Sequence, residues 1–184
     1  PEAASFREET LKHIDQAVEL GKQYKIHVNL NFHRAPGYCV NPPKEAKDLW
    51  TDAGIQDQFA RHWAFFAKRY KGIPSRRVSF DLVNEPGGTD NAKYAVVVEK
   101  AVKAIRAEDP ARLVIADGLR WGRDPVPGLV ELKIGQSTRG YDPMAISHYK
   151  ASWIHGSDKW PEPAWPIKPG QKGGADKARL RRER

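Results

Sequence analysis

The chain is short of cysteine, of long apolar runs and of phosphate-cradling glycine motifs, and each shortage removes a class of function. Its one cysteine, Cys39, has no internal partner, so no disulfide staples the fold and the redox compartment stays open. No stretch approaches the roughly 18 uninterrupted apolar residues of a spanning helix, and residues 1–7 lack a basic segment followed by an apolar one. Neither a membrane span nor a signal peptide is expected, and no membrane partner. No GxGxxG run follows an apolar stretch, which argues against a dinucleotide or phosphate cradle. The six histidines form no i, i+4 pair around a glutamate, so no metal and no cofactor are expected.

What is present reads as one globular body. The 184 residues are 40% hydrophobic and 29% charged, enough to bury a core. The net charge of +8 is concentrated at the end, where seven basic residues from Lys168 onward face only Asp176 and Glu183. Without interleaved aromatics such a tail offers salt-sensitive attraction rather than specific nucleic-acid binding. The expected organisation is a folded body over residues 1–169 and a basic tail over 170–184, disordered or a helix cut short.

Hydrophobic periodicity alternates between two patterns. Leu11, Ile14, Ala17 and Val18 predict a first helix ending near Gly21, and Ile26, Val28, Leu30 and Phe32 alternate with polar residues as a strand. Ile55, Phe59, Trp63, Phe66 and Tyr70 form the stripe of a second helix closed by Gly72 and Pro74. A strand over 78–83 follows, then a third helix through Tyr94, Val98, Ala101 and Ile105, and a strand over 113–116. A short helix near 129–134 and a strand over 144–147 complete the pattern. Strands 30 to 40 residues apart with helices between them predict a parallel α/β sheet with right-handed crossovers.

Functional groups in such folds gather at the carboxyl ends of the strands. Those ends carry His33-Arg34, Asn84-Glu85-Pro86, Asp117-Gly118 and His148-Tyr149. Asn84 and Glu85 can serve one pocket only if the strand ends or bulges there, which Pro86 and the two glycines after it favour. Asp117, Asp124, Glu131, Asp142 and Glu162 are the other nearby acids, and the usual place of such residues is a solvated loop. Trp153, Trp160 and Trp165 present flat apolar faces that either stack on sugar rings or pin their proline-rich loop to the body, and Trp121, just after Asp117-Gly118, is another candidate for the cleft.

With His33-Arg34-Ala35-Pro36-Gly37-Tyr38 at one strand end and Val83-Asn84-Glu85-Pro86 at the next, the chain resembles glycoside hydrolase family five, the cellulase-like retaining β-glycosidases. The resemblance implies a (β/α)8 TIM barrel, present here as about strands three to six with their helices, since about 250 residues make a complete barrel. It implies hydrolysis of β-glycosidic bonds in a polysaccharide such as β-1,4-glucan, with Glu85 as general acid/base. Asn84 would hold the sugar 2-hydroxyl, and His33, His148, Tyr149, Trp121 and Trp153 would line the substrate site. Tyr149 is adjacent to His148 where the family spacing puts the tyrosine two residues on. The family's nucleophile lies on a seventh strand that the chain does not reach, so an inactive fragment that only binds carbohydrate is the alternative. Open strand edges favour self-association. Secreted or periplasmic location is what the resemblance implies.

Overall fold

The computed structural model describes residues 6–166. They fall into two compact units, one ending at Arg139 and one beginning at Gly140. The tail over 170–184 lies outside the described residues. Among the described residues no helix is long and apolar enough to cross a membrane.

The first unit begins with α1 (Glu8–Tyr24), β1 (Val28–Asn31), β2 (Arg34–Ala35) and β3 (Tyr38–Cys39). It continues through α2 (Ala53–Arg69), β4 (Val78–Asp81), α3 (Asn91–Glu108), β5 (Val114–Asp117) and β6 (Gly135–Ser137). Four of the strands form a parallel sheet in the order β1-β4-β5-β6, and β2 and β3 form a small antiparallel hairpin. The hairpin turns at Gly37, whose φ of 74° is the left-handed region an L side chain rarely adopts. Both long internal helices start on an aspartate cap: Asp52 accepts from the Ile55 N–H and Asp90 from the Lys93 N–H.

The register assigns the two sheet faces. Val28 pairs with Val78 and Leu30 with Phe80, while Asn29 pairs with Ser79 and Asn31 with Asp81. The even-numbered face therefore carries Val28, Leu30, Val78, Phe80, Val114 and Ala116 and packs on the helices. There Trp63 of α2 lies 5.0 Å from the Phe80 ring and donates its indole N–H to the Leu82 carbonyl at 3.2 Å. Phe59, Trp63 and Ala67 of α2 and Tyr94, Val98, Ala101 and Ile105 of α3 are all fully buried in this layer. The opposite face is polar: the His27 ring contacts Ser79 Oγ at 2.7 Å, and that hydroxyl donates to Asn29 Oδ1 at 2.8 Å.

Three expectations are corrected. The first helix does not end at Gly21 but runs to Tyr24, where Lys25 takes the left-handed cap with φ 58°. Gly21 is buried inside the helix because a Cβ there would meet Val28 Cγ2 at 2.4 Å; glycine lets α1 lie close on β1. Gly21→Ala is therefore expected to lower stability by about 2 kcal/mol in urea unfolding, since overpacking outweighs the gain in helix propensity. Secondly, residues 144–147 are not a strand. Met144–Ser147 is a single helical turn started by Pro143, in which the His148 N–H donates to the Met144 carbonyl at 2.9 Å. The fourth strand is β6, three residues that pair in parallel with β5 and carry no apolar alternation to announce them. The short helix expected near 129–134 is a 3-10 turn, Pro127–Leu132.

The second unit, over its described residues, is a string of turns around that helical turn and a 3-10 turn at Ser157–Lys159. Ser157 is buried and donates its hydroxyl to the Ala151 carbonyl at 2.7 Å.

Candidate active site

The chain leaves β4 at Asp81, and Leu82 still donates to the Ile115 carbonyl of β5, so residues 82–85 emerge at the carboxyl end of the sheet. Asn84 donates its backbone N–H to the Phe32 carbonyl at 3.0 Å, which puts it beside the end of β1. Glu85 then takes φ 49°, a left-handed conformation costly for a residue with a Cβ. Both of its backbone polar groups are held from other elements. The Glu85 N–H donates to Asp117 Oδ2 at 2.9 Å, and the Tyr38 hydroxyl of the hairpin donates to the Glu85 carbonyl at 2.7 Å. This twist breaks the strand alternation, so Asn84 and Glu85 need not point to opposite faces. Burial and the Glu85 charge push the Tyr38 hydroxyl up to about 12, so it stays a proton donor through the neutral range.

Asp117, at the end of β5, is fully buried and is not the solvated loop residue that its place before Gly118 suggests. It accepts from Glu85, from the Ser137 hydroxyl of β6 and from Arg139 Nη2 at 2.5 Å. Three donors satisfy a carboxylate that burial alone would penalise. Arg139 also places Nη2 3.4 Å from Asn84 Oδ1 and Nε 3.8 Å from Glu85 Oε1. The site thus joins the ends of β4, β5 and β6. Arg139 is the member that sequence reasoning missed, while Asp117 is expected at a strand end but in a solvated loop.

Beneath them Asp81 is buried on the polar face, and its Oδ1 has no hydrogen-bond partner among the described residues. Burial first and the Asp117 charge second push its carboxyl up to about 7, against partial opposition from Arg139 and Asn31.

The other expected residues are placed unevenly. His33 is exposed just past β1, with Asn41 Nδ2 3.4 Å from its Nε2. Trp121 is half exposed with φ 61°; its N–H donates to the Pro86 carbonyl at 3.3 Å, and its indole lies 3.5 Å from where a Cβ on Gly87 would be. It therefore flanks the loop that follows Glu85. His148, Tyr149 and Trp153 belong to the second unit. His148 is not at a strand end: it is buried against Tyr141, with ring centroids 4.9 Å apart, and its Nδ1 lies 2.7 Å from Ser147 Oγ. Trp153 is largely exposed at 6.4 Å from the His148 ring, and Lys150 lies over the Tyr149 ring at 5.0 Å. Trp165 is exposed and Trp160 half-buried, so neither is sunk in a core. Among the described residues no three of His, Cys, Asp and Glu are grouped to hold a metal ion.

Comparison with known proteins gives a consistent answer. The family described as Cellulase (glycosyl hydrolase family 5) matches residues 2–143. Endoglucanase C of Acetivibrio thermocellus is 31% identical over 153 residues, covering 80% of this chain and 44% of that protein. A crystal structure of a glycoside hydrolase superposes with TM-score 0.85 at 41% identity, over 95% of this chain and 55% of that one. Thermotoga maritima Cel5A in complex with cellobiose superposes with TM-score 0.68 at 24% identity, over 90% of this chain and 52% of that one, a likeness of fold. The chain spans about half the length of the proteins it matches. Its parallel sheet and covering helices are part of a (β/α)8 barrel.

Proposed function

Because the chain belongs to glycosyl hydrolase family 5, the cellulase family, we propose that it serves the hydrolysis of β-glycosidic bonds in a polysaccharide such as β-1,4-glucan, with Glu85 as general acid/base. The observation that carries this reading is the clamped, left-handed Glu85 beside Asn84 at the carboxyl end of β4, held by Asp117 and Tyr38. A group that must deliver a proton to a leaving oxygen has to be held in one place, and fixing both backbone polar groups of its residue does that. Trp121 and the exposed His33 supply a flat apolar face and a polar edge near the same strand ends, as a pyranose requires. His148, Tyr149 and Trp153 are proposed as further sugar contacts. The endoglucanase relatives and the cellobiose complex of the Cel5A neighbour support a β-glucan as substrate.

Retention of configuration needs a second carboxyl group about 5 to 5.5 Å from the first. Among the described residues the buried carboxyl groups near Glu85 are those of Asp81 and Asp117, the last residues of β4 and β5, and Asp117 already accepts from three donors. Neither is open to an anomeric carbon. This observation favours a second reading, that the isolated chain binds carbohydrate without cleaving it.

The test is reducing-end release from soluble β-1,4-glucan by the purified chain, with binding followed in parallel. Release supports hydrolysis by the chain itself. Binding without release supports the second reading, and a folded chain that does neither contradicts both. In the described sheet β1 and β6 pair on one side only, and self-association through these edges is part of the proposal. A monomeric elution in size-exclusion chromatography contradicts that part.

A further inference from the structure

The proposed chemistry uses Asn84 and Glu85 and leaves Arg139 without a role. We infer that Arg139 is a positioning residue that sets the polarity of the Asn84 side-chain amide, so that Asn84 offers its Nδ2 hydrogens to a sugar hydroxyl; this rests on the proposed saccharide site.

The guanidinium is fixed before it meets Asn84. Its residue follows β6, and its backbone N–H donates to the Gly122 carbonyl at 2.7 Å. A Cβ at Gly122 would lie 2.5 Å from Arg139 Cγ, so glycine at that position, which has φ 76°, leaves the arginine stem its path. At the far end Asp117 Oδ2 accepts from Nη2 at 2.5 Å and Ser137 Oγ lies 3.3 Å from Nη1. The ion pair with a fully buried carboxylate resists displacement, because breaking it leaves a charge without compensation. Nη2, which donates to Asp117, has a second hydrogen for another acceptor.

Guanidinium nitrogens only donate, so a neighbouring amide must turn its oxygen toward them. Asn84 Oδ1 lies 3.4 Å from Nη2. With the oxygen held there, Nδ2 is directed away from Arg139 and is the atom available to a ligand. Glu85 Oε1 lies 3.8 Å from Nε, so the same cation also faces the acid/base carboxyl. A lysine at 139 has a stem one atom shorter, so an ammonium that keeps its pair with Asp117 does not extend to the place where Nη2 meets both Asp117 and Asn84.

Nuclear magnetic resonance on the 15N-labelled 184-residue chain, with cellotetraose as probe, tests this. In the free wild-type chain the Asn84 Nδ2 protons should show no Overhauser contact with the Arg139 guanidinium protons; such a contact overturns the inference whether or not sugar binds. On titration the wild-type Nδ2 resonances should shift. Arg139→Gln, whose own carbonyl lets the Asn84 amide turn over, should lose that shift and bind at least tenfold more weakly. Should that variant fail to fold, Arg139→Lys keeps a charge for Asp117 and should show the same loss of the Asn84 response. Wild-type affinity and wild-type Asn84 shifts in folded Arg139→Lys overturn the inference. Correct amide polarity with no cellotetraose-induced shift anywhere near Asn84 and Glu85 overturns the saccharide site and leaves the positioning of Asn84 by Arg139 standing.

Discussion

In the barrel formed when this chain replaces the matched segment of the 41% identical glycoside hydrolase, replacing Glu85 by glutamine is expected to cut hydrolysis of soluble β-1,4-glucan about a thousandfold or more while leaving saccharide affinity within about twofold. Glutamine keeps the shape and the backbone clamp, since Asp117 and Tyr38 bind the N–H and C=O of residue 85 and not its side chain. What it loses is the exchangeable carboxyl proton, and general acid/base catalysis contributes about 10²- to 10⁴-fold. The loss should depend on the leaving group. A sugar alkoxide needs protonation to depart, whereas a dinitrophenolate does not, so an activated aryl cellobioside should lose far less in the first chemical step. Steady-state kinetics on both substrates, with circular dichroism as the check on folding, measure the difference. An equal loss on both substrates would mean that residue 85 positions or binds and does not deliver a proton.

The second large effect is on stability. Asp81 has its carboxyl pushed from an ordinary 3.8 up to about 7 by burial and by the charge of Asp117. In the unfolded chain it loses its proton near pH 4, while the folded chain holds that proton up to about pH 7. Between these values the native state binds more protons, so the contribution is complete below about pH 4 and is lost as pH rises through 7. A rise of this size corresponds to up to about 4 kcal/mol. Asp81→Asn imitates the protonated acid and removes the titration. Urea unfolding from pH 4 to 8 should therefore show the wild type weakening across the range from this source and the variant lacking that slope. The variant should be the more stable of the two at pH 8. Equal slopes in the two proteins would show that Asp81 does not titrate in this window.

The parts of the fold readable from the sequence are those whose signal is local. Val78, Phe80 and Leu82 in a run ended by a proline and two glycines mark a buried strand and its exit, and so Asn84 and Glu85 could be placed at a strand end. The stripe from Ile55 to Tyr70 marks α2 because its large side chains share one helix face, on which Phe59 and Trp63 are fully buried. The fourth strand was not legible because Gly135–Ser137 is three residues of small or polar character, held by pairing with β5 and by the Gln136 side chain bonded to the N–H and C=O of Val126. Four apolar-leaning residues at 144–147 look more like a strand than the real one does. The same misplacement hides Arg139, which follows β6 and otherwise reads as a solvated loop cation. Asp117 before a glycine carries the signature of a turn; what buries it is the convergence of Glu85, Ser137 and Arg139, three groups separated in sequence. Likewise the left-handed backbone at Glu85 belongs to a residue type that ordinarily avoids it, so only tertiary clamps from Tyr38 and Asp117 account for it.

The central claim is that Glu85 is the acid/base of a retaining site, and azide rescue of Glu85→Ala tests it most directly. The measurement uses an activated aryl cellobioside and the barrel formed when this chain replaces the matched segment of the 41% identical glycoside hydrolase. Removing an acid/base opens room for a small anion on the face from which water attacks the glycosyl-enzyme, so azide should restore turnover and yield the β-glycosyl azide. An α-glycosyl azide would make Glu85 the nucleophile instead, and no rescue in a folded variant would remove it from the chemistry altogether.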